Sequence, residues 1–230
     1  MQKVHVAPLW SVAFGVFGLA AIGWFSTLSV AGWGAGVLYL VCSNAFLTSG
    51  LRRRETAHFG PANAATEVRS TLVGLITALV ATSFSAPISV PLLLCLTVPA
   101  LALDAADGWI ARRTQTTTEL GARFDMEVDA FLLLVLSAYV AQNLGWWVLL
   151  IGALRYAFVG AAWVLPWMAA TLPPRYWRKV VTAVAGIGLT LVASGLMPTW
   201  ADILTALLVL VLLVESFGRD VVWLVRRRSR

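Results

Sequence analysis

"LDAADGWIARRTQTTTELGARFDMEVDAF", residues 103–131, interrupts a chain that is otherwise close to oil. Four aspartates, Asp104, Asp107, Asp125 and Asp129, fall inside it, and long apolar runs flank it on both sides. A carboxylate at the edge of an apolar environment is costly unless something compensates it. The flanking runs decide the fold class, and the aspartates point to the chemistry.

Of the 230 residues, 60% are hydrophobic and only 12% are charged. Soluble domains average about 45–50% apolar and about 25% charged residues. The composition therefore predicts an all-α, polytopic membrane helical bundle. A bilayer-spanning helix needs about 20 mostly apolar residues. On that measure, eight transmembrane helices are expected near 8–30, 33–51, 69–86, 88–104, 126–143, 146–167, 178–196 and 200–223. Short turns such as "FSAPIS", "NLGWW" and "GLMPTW" join them. The first run is read as a retained span, although "LSVAG" offers small residues like those of a signal-peptide cleavage site.

The formal net charge is +6. In a soluble protein this would suggest a nucleic-acid partner; here the preference of Lys and Arg for cytoplasmic loops accounts for it, and none is expected. With both termini cytoplasmic, every one of the 17 basic residues except Arg155 falls on or near the cytoplasmic side. Cys42 and Cys95 lie in apolar runs and read as packed or lipid-facing thiols rather than a disulfide. The polar stretch 52–70 reads as a cytoplasmic linker followed by a juxtamembrane helix at 61–69, opened by Pro61. Residues 1–57 then form a two-helix extension and 58–230 the core.

Asp104 and Asp107 are spaced i, i+3 and Asp125 and Asp129 i, i+4, so each pair shares one helix face, whereas Glu127 lies about 200° from Asp125. The polar stretch 112–124 is expected to be the turn between the two helices. Both helices then bring two carboxylates to the same membrane edge, where they repel unless a cation lies between them. Oxygen ligands with no His or Cys nearby favour a hard ion, Mg2+ or Mn2+, which commonly completes its shell with substrate phosphate. Gly108 and Gly121 permit close approach of a ligand, and Arg112 is spaced to hold a phosphate bidentately. Spacing alone leaves three readings open. They are a metal site for phosphoryl-type transfer, a cation pathway as in a membrane transporter or channel, and structural Asp–Arg pairing.

The pattern Asp104-x-x-Asp107-Gly108-x-x-Ala111-Arg112, eight residues, Gly121-x-x-x-Asp125-x-x-x-Asp129 resembles the signature of the CDP-alcohol phosphotransferases at every fixed position. "GPANAATEVRS" (60–70) resembles the segment that precedes that family's first core helix, with Asn63, Thr66 and Arg69 at its polar positions. The resemblance covers roughly residues 58–225, a six-helix core, and leaves the first two helices without a counterpart. It implies a transferase of phospholipid biosynthesis working at the cytoplasmic face of a cell or inner membrane. An acceptor hydroxyl attacks the β-phosphorus of a CDP-alcohol, often CDP-diacylglycerol, and CMP leaves. By the same resemblance, Asp104, Asp107 and Asp125 hold one or two divalent ions. Asp129 is the general base and can also touch a metal. Gly108, Ala111, Arg112 and Gly121 form the CDP site, with Asn63 and Thr66 beside it. The family often forms homodimers.

Arg155 lies mid-span in "IGALRYAFV", where a charge costs about 2.5–3.5 kcal/mol or more and faces the bundle interior. With Arg175 and Arg178 it is a candidate for binding a phosphorylated acceptor, such as glycerol 3-phosphate or an inositol phosphate. The bland readings are anchoring at the membrane edge for Arg175, Arg178 and Lys179, and an aspartate partner for Arg155. Glu215 and Arg219, spaced i, i+4, are expected to pair locally.

Overall fold

Apolar stretches of this length in lipid have one economical way to satisfy their backbone polar groups, the α-helix. The computed structural model describes residues 7–54, 61–114, 119–170, 172 and 175–228, and among these it contains helices and no strand. The eight α-helices are α1 (Ala7–Phe25), α2 (Val30–Arg54), α3 (Pro61–Ser83), α4 (Val90–Thr114), α5 (Glu119–Leu144), α6 (Leu149–Val164), α7 (Tyr176–Ala193) and α8 (Thr199–Arg228). Short 3-10 turns at Trp146–Val148 and Pro166–Ala169 flank α6. The α5 and α7 ends lead into Gly145 and Gly195, whose φ values of 100° and 65° need a residue without a Cβ.

Three boundaries depart from the expectation. The segment 61–69 is not a separate juxtamembrane helix but the opening turns of α3, because neither Gly nor Pro interrupts the chain between Pro61 and Gly74. The helix α4 continues past Asp104 to Thr114, and α5 begins at Glu119 rather than near residue 126. The expected turn 112–124 is therefore mostly helical, and its remaining residues 115–118 lie outside the described set. Alanines and arginines there are strong helix formers, so helix persists after the apolar stretch has ended.

The chain packs as two compact units, residues 1–129 and 130–230, with α5 continuous across the division. Within the first unit, α2 packs closely on α3. In the first unit, Leu19 and Ile22 of α1, Leu40 of α2, and Leu75, Ala78 and Leu79 of α3 form the buried core. Gly36 lets α2 approach α3 so closely that a Cβ would stand 2.9 Å from that of Ala78. Buried hydroxyls bond back to the carbonyl one turn earlier, as in Thr77 to Val73 (2.7 Å) and Thr97 to Leu93 (2.8 Å), so these two donors are satisfied within their own helices. Cys42 and Cys95 are free thiols on the exterior.

In the second unit, α8 packs on α6 and α7. Its hidden stripe carries Asp202, Ser216 and Asp220 among apolar residues, while Leu204, Leu208, Val211 and Val214 face outward. That is the reverse of a helix in water, where the apolar stripe turns inward and the polar face outward. By length and composition, the described segments Trp146–Val164 and Thr199–Arg228 are each able to cross a membrane.

Close packing in this unit gives a direct test. A Cβ on Gly152 of α6 would collide with the backbone of Leu134 in α5, whereas one on Gly160 would meet nothing within 4 Å. Gly152→Ala is expected to destabilise the protein by about 1–3 kcal/mol, the usual effect of overpacking. Gly160→Ala is expected to be neutral or stabilising by up to about 1 kcal/mol through helix propensity. Thermal unfolding of the detergent-solubilised variants checks both.

Candidate active site

Three helices of the first unit converge at one cluster. From α3 comes Arg69, from α4 Asp104, and from the first turns of α5 Asp125 and Asp129. The i, i+4 spacing brings Asp125 and Asp129 onto one face of α5, as expected. Each carboxylate offers one oxygen to a group whose members all lie within 4.8 Å of one another.

Arg69 binds all three. Its Nη1 donates to Asp104 Oδ1 at 2.6 Å. Its Nη2 donates to Asp125 Oδ1, reaches the Asp125 backbone carbonyl at 3.4 Å, and lies 3.2 Å from Asp129 Oδ1. The Arg69 side chain has 0% exposure, while those of Asp104, Asp125 and Asp129 are 34%, 33% and 23% exposed. The guanidinium is thus the most deeply buried member of the cluster. Three carboxylates this close repel strongly, and a buried guanidinium without them would be equally unfavourable.

The surroundings are firm. Ser70, next to Arg69, is within hydrogen-bonding distance of the Tyr39 hydroxyl of α2 at 3.3 Å. Phe46 of α2 stacks on Phe124, next to Asp125, with ring centroids 6.1 Å apart. Thr66 and Glu67 are buried on α3. Glu127 is half-buried and belongs to no metal-competent group among the described residues.

The chemistry of the cluster suits a hard divalent cation. All donors are carboxylate oxygens close to one another, and among the described residues no His or Cys joins them. Each carboxylate meets Arg69 through Oδ1.

Several expected site residues have a placed backbone and side chains outside the described set. They are Asp107, Gly108, Ala111 and Arg112 of α4 and Asn63 of α3. Gly121 lies in the first turn of α5, one turn before Asp125. The acceptor candidates all belong to the second unit. Arg155 is half-buried midway along α6. Arg175 Nη1 and Arg178 Nη1 each approach a different oxygen of Asp220 at 3.5 Å, and Asp220 is only 4% exposed. The expected Glu215–Arg219 pair forms, and Trp177 donates its indole N–H to Glu215 at 2.9 Å.

Two contributors were not recognised in the sequence. Arg69 was read only as a polar position of a juxtamembrane helix. The available signal was a lone arginine followed by "STLVGLITALV", since a charge adjoining an apolar helix usually faces the interior with a partner. Asp220 carried a similar signal, lying at the i+4 position from Ser216 on the hidden stripe of α8.

Comparison with known proteins returns one informative match. The CDP-alcohol phosphatidyltransferase family profile covers residues 59–215, well over half of the chain. No curated protein and no solved structure matches it. The matched segment includes Arg69, Asp104, Asp125 and Asp129, and it begins after the two N-terminal helices α1 and α2. By that match, the chain belongs to the CDP-alcohol phosphatidyltransferase family.

Proposed function

We propose that this member of a family of transferases moves a substituted phosphate from CDP-diacylglycerol to a phosphorylated polyol, releasing CMP. The observation that carries the proposal is the convergence of Asp104, Asp125 and Asp129, from two helices, inside the full aspartate signature. On this reading all eight helices span the membrane, both termini are cytoplasmic, and the site lies at the cytoplasmic edge. The distribution of Lys and Arg supports that orientation. Residues 58–230 correspond to the catalytic core and 1–57 to an extension. The cation-pathway reading draws no support from membership of a transferase family.

The division of labour follows from the chemistry. Asp104, Asp107 and Asp125, with Asp129 in reach, hold one or two ions of Mg2+ or Mn2+. Such an ion neutralises the pyrophosphate and the charge that develops on departing CMP. Asn63, Thr66, Gly108, Ala111, Arg112 and Gly121 surround the cytidine diphosphate, with the glycines leaving room for it. Asp129 accepts the proton of the acceptor hydroxyl as its oxygen attacks the β-phosphorus. The bond between that phosphorus and the bridging oxygen breaks, the bridging oxygen keeps the electron pair, and CMP leaves. No covalent intermediate with the chain is needed.

For the acceptor, Arg155, Arg175 and Arg178 are proposed to recognise its phosphate. Arg175 and Arg178 both pair with Asp220, which brings the two guanidinium groups together. A homodimer in the membrane is also proposed, on family grounds alone.

Asp129→Asn keeps the shape of the side chain and removes the base. It is expected to lower kcat by about 100- to 10,000-fold, the usual contribution of general base catalysis, with CDP-alcohol binding within a few-fold of wild type. Loss of binding with turnover only slowed would show that the base lies elsewhere. Arg155→Ala is expected to raise the KM for a phosphorylated acceptor by about tenfold or more, as for loss of a charge-assisted hydrogen bond, with the CDP-donor KM little changed. An unchanged acceptor KM removes Arg155 from the site.

A further inference from the structure

We propose that the last turn of α8 binds the headgroups of anionic phospholipids, through Arg227 and Arg228 seated on the rings of Trp223 and Trp167. The inference rests on α8 crossing the membrane and does not depend on which donor or acceptor the aspartate site takes.

Three observations carry it. The first is the level at which the charge lies. The 30 residues of α8 make a rod about 45 Å long at about 1.5 Å per residue, enough to reach from one headgroup layer to the other. Its outward stripe, Leu204, Leu208, Val211 and Val214, is carried on by exposed Val222 and Val225. Three exposed arginines, Arg226 to Arg228, follow at once. The charge therefore begins where the lipid-facing surface ends.

The second is how the two guanidinium groups are held. Arg227 lies over the Trp223 ring one turn back on α8, 5.3 Å from its centroid. Arg228 lies over the ring of Trp167, in the 3-10 turn after α6, at 5.8 Å. An aromatic face attracts and orients a guanidinium but carries no negative charge to cancel it. Trp and Tyr rings also favour the headgroup layer, and exposed Trp163 and Tyr176 lie at the facing ends of α6 and α7.

The third is the local charge balance. No Asp or Glu follows Asp220 in the chain, and the positions three and four before the arginines, Val222 to Val225, carry none. Asp220 itself is buried against Arg175 and Arg178, and Glu215 pairs with Arg219. A lipid phosphate offers these guanidinium groups the acceptor that their own helix turn lacks. A headgroup with net negative charge gains more there than a zwitterionic one, because basic residues beside a membrane attract anionic lipid.

The test is electron paramagnetic resonance of chain-labelled phosphatidylglycerol and phosphatidylcholine around the full-length protein in phosphatidylcholine vesicles. The motionally restricted fraction of each label gives the relative association constant. The variants are R227Q/R228Q, Trp223→Leu, and R52Q/R53Q, which removes two tandem arginines at the end of α2. Wild type is expected to prefer phosphatidylglycerol about threefold or more, averaged over its lipid shell. R227Q/R228Q is expected to lose at least half of that preference and R52Q/R53Q distinctly less. Trp223→Leu, which leaves the charge unchanged, is expected to lower the preference as well.

Equal losses in the two arginine variants overturn the inference, since net charge alone would then set the lipid shell. An undiminished preference in R227Q/R228Q or in Trp223→Leu overturns it too, as does a wild type that takes both lipids equally. If neither label is restricted by wild type, the bundle does not sit in the bilayer, and the membrane reading falls together with this inference.

Discussion

The packing of the first unit is organised around one electrostatic problem, three carboxylates brought within coordination distance at the end of apolar helices. Each would be unfavourable there alone, and together they repel. The buried guanidinium of Arg69 is the answer within the chain, and its position depends on α3 being held between α2 and α4. Small residues at Gly32, Gly36 and Gly74 allow that approach. Helix α2, outside the family match, therefore braces α3 through Tyr39 on Ser70 and α5 through Phe46 on Phe124.

The second unit solves the same problem with the signs reversed. A single buried carboxylate, Asp220, holds two half-exposed arginines, Arg175 and Arg178. In the first cluster the buried group is a cation and the exposed rim anionic; in the second the buried group is an anion and the rim cationic. On the proposed reading, the first cluster would hold a metal ion with the pyrophosphate and the second an anionic acceptor.

Much of this was legible in the sequence because the relevant signals are local. The number and type of helices follow from apolar run length, and the pairing of Asp125 with Asp129 follows from helical periodicity. The Glu215–Arg219 pair is an i, i+4 contact and was equally readable. The misplaced ends of α4 and α5 have a simple cause. Hydropathy marks where lipid ends, whereas helix ends depend on breakers and caps, and "AADGWIARR" contains only one weak breaker, Gly108. The roles of Arg69 and Asp220 were not legible, because their partners lie 35 to 60 and 42 to 45 positions away along the chain. A lone charge in an apolar run announces that a partner exists, and only the tertiary structure says which.

The central claim is that the aspartate cluster is a metal-dependent centre for transfer from a CDP-alcohol. The most direct measurement is CMP release by the purified protein, supplied with CDP-diacylglycerol and a panel of phosphorylated and unphosphorylated alcohols, with Mg2+ or Mn2+ and after chelation. The account predicts CMP release only when metal, donor and a suited acceptor are all present, and its loss on chelation. Absence of CMP release across a wide panel of donors and acceptors, or release that persists without divalent metal, would contradict it.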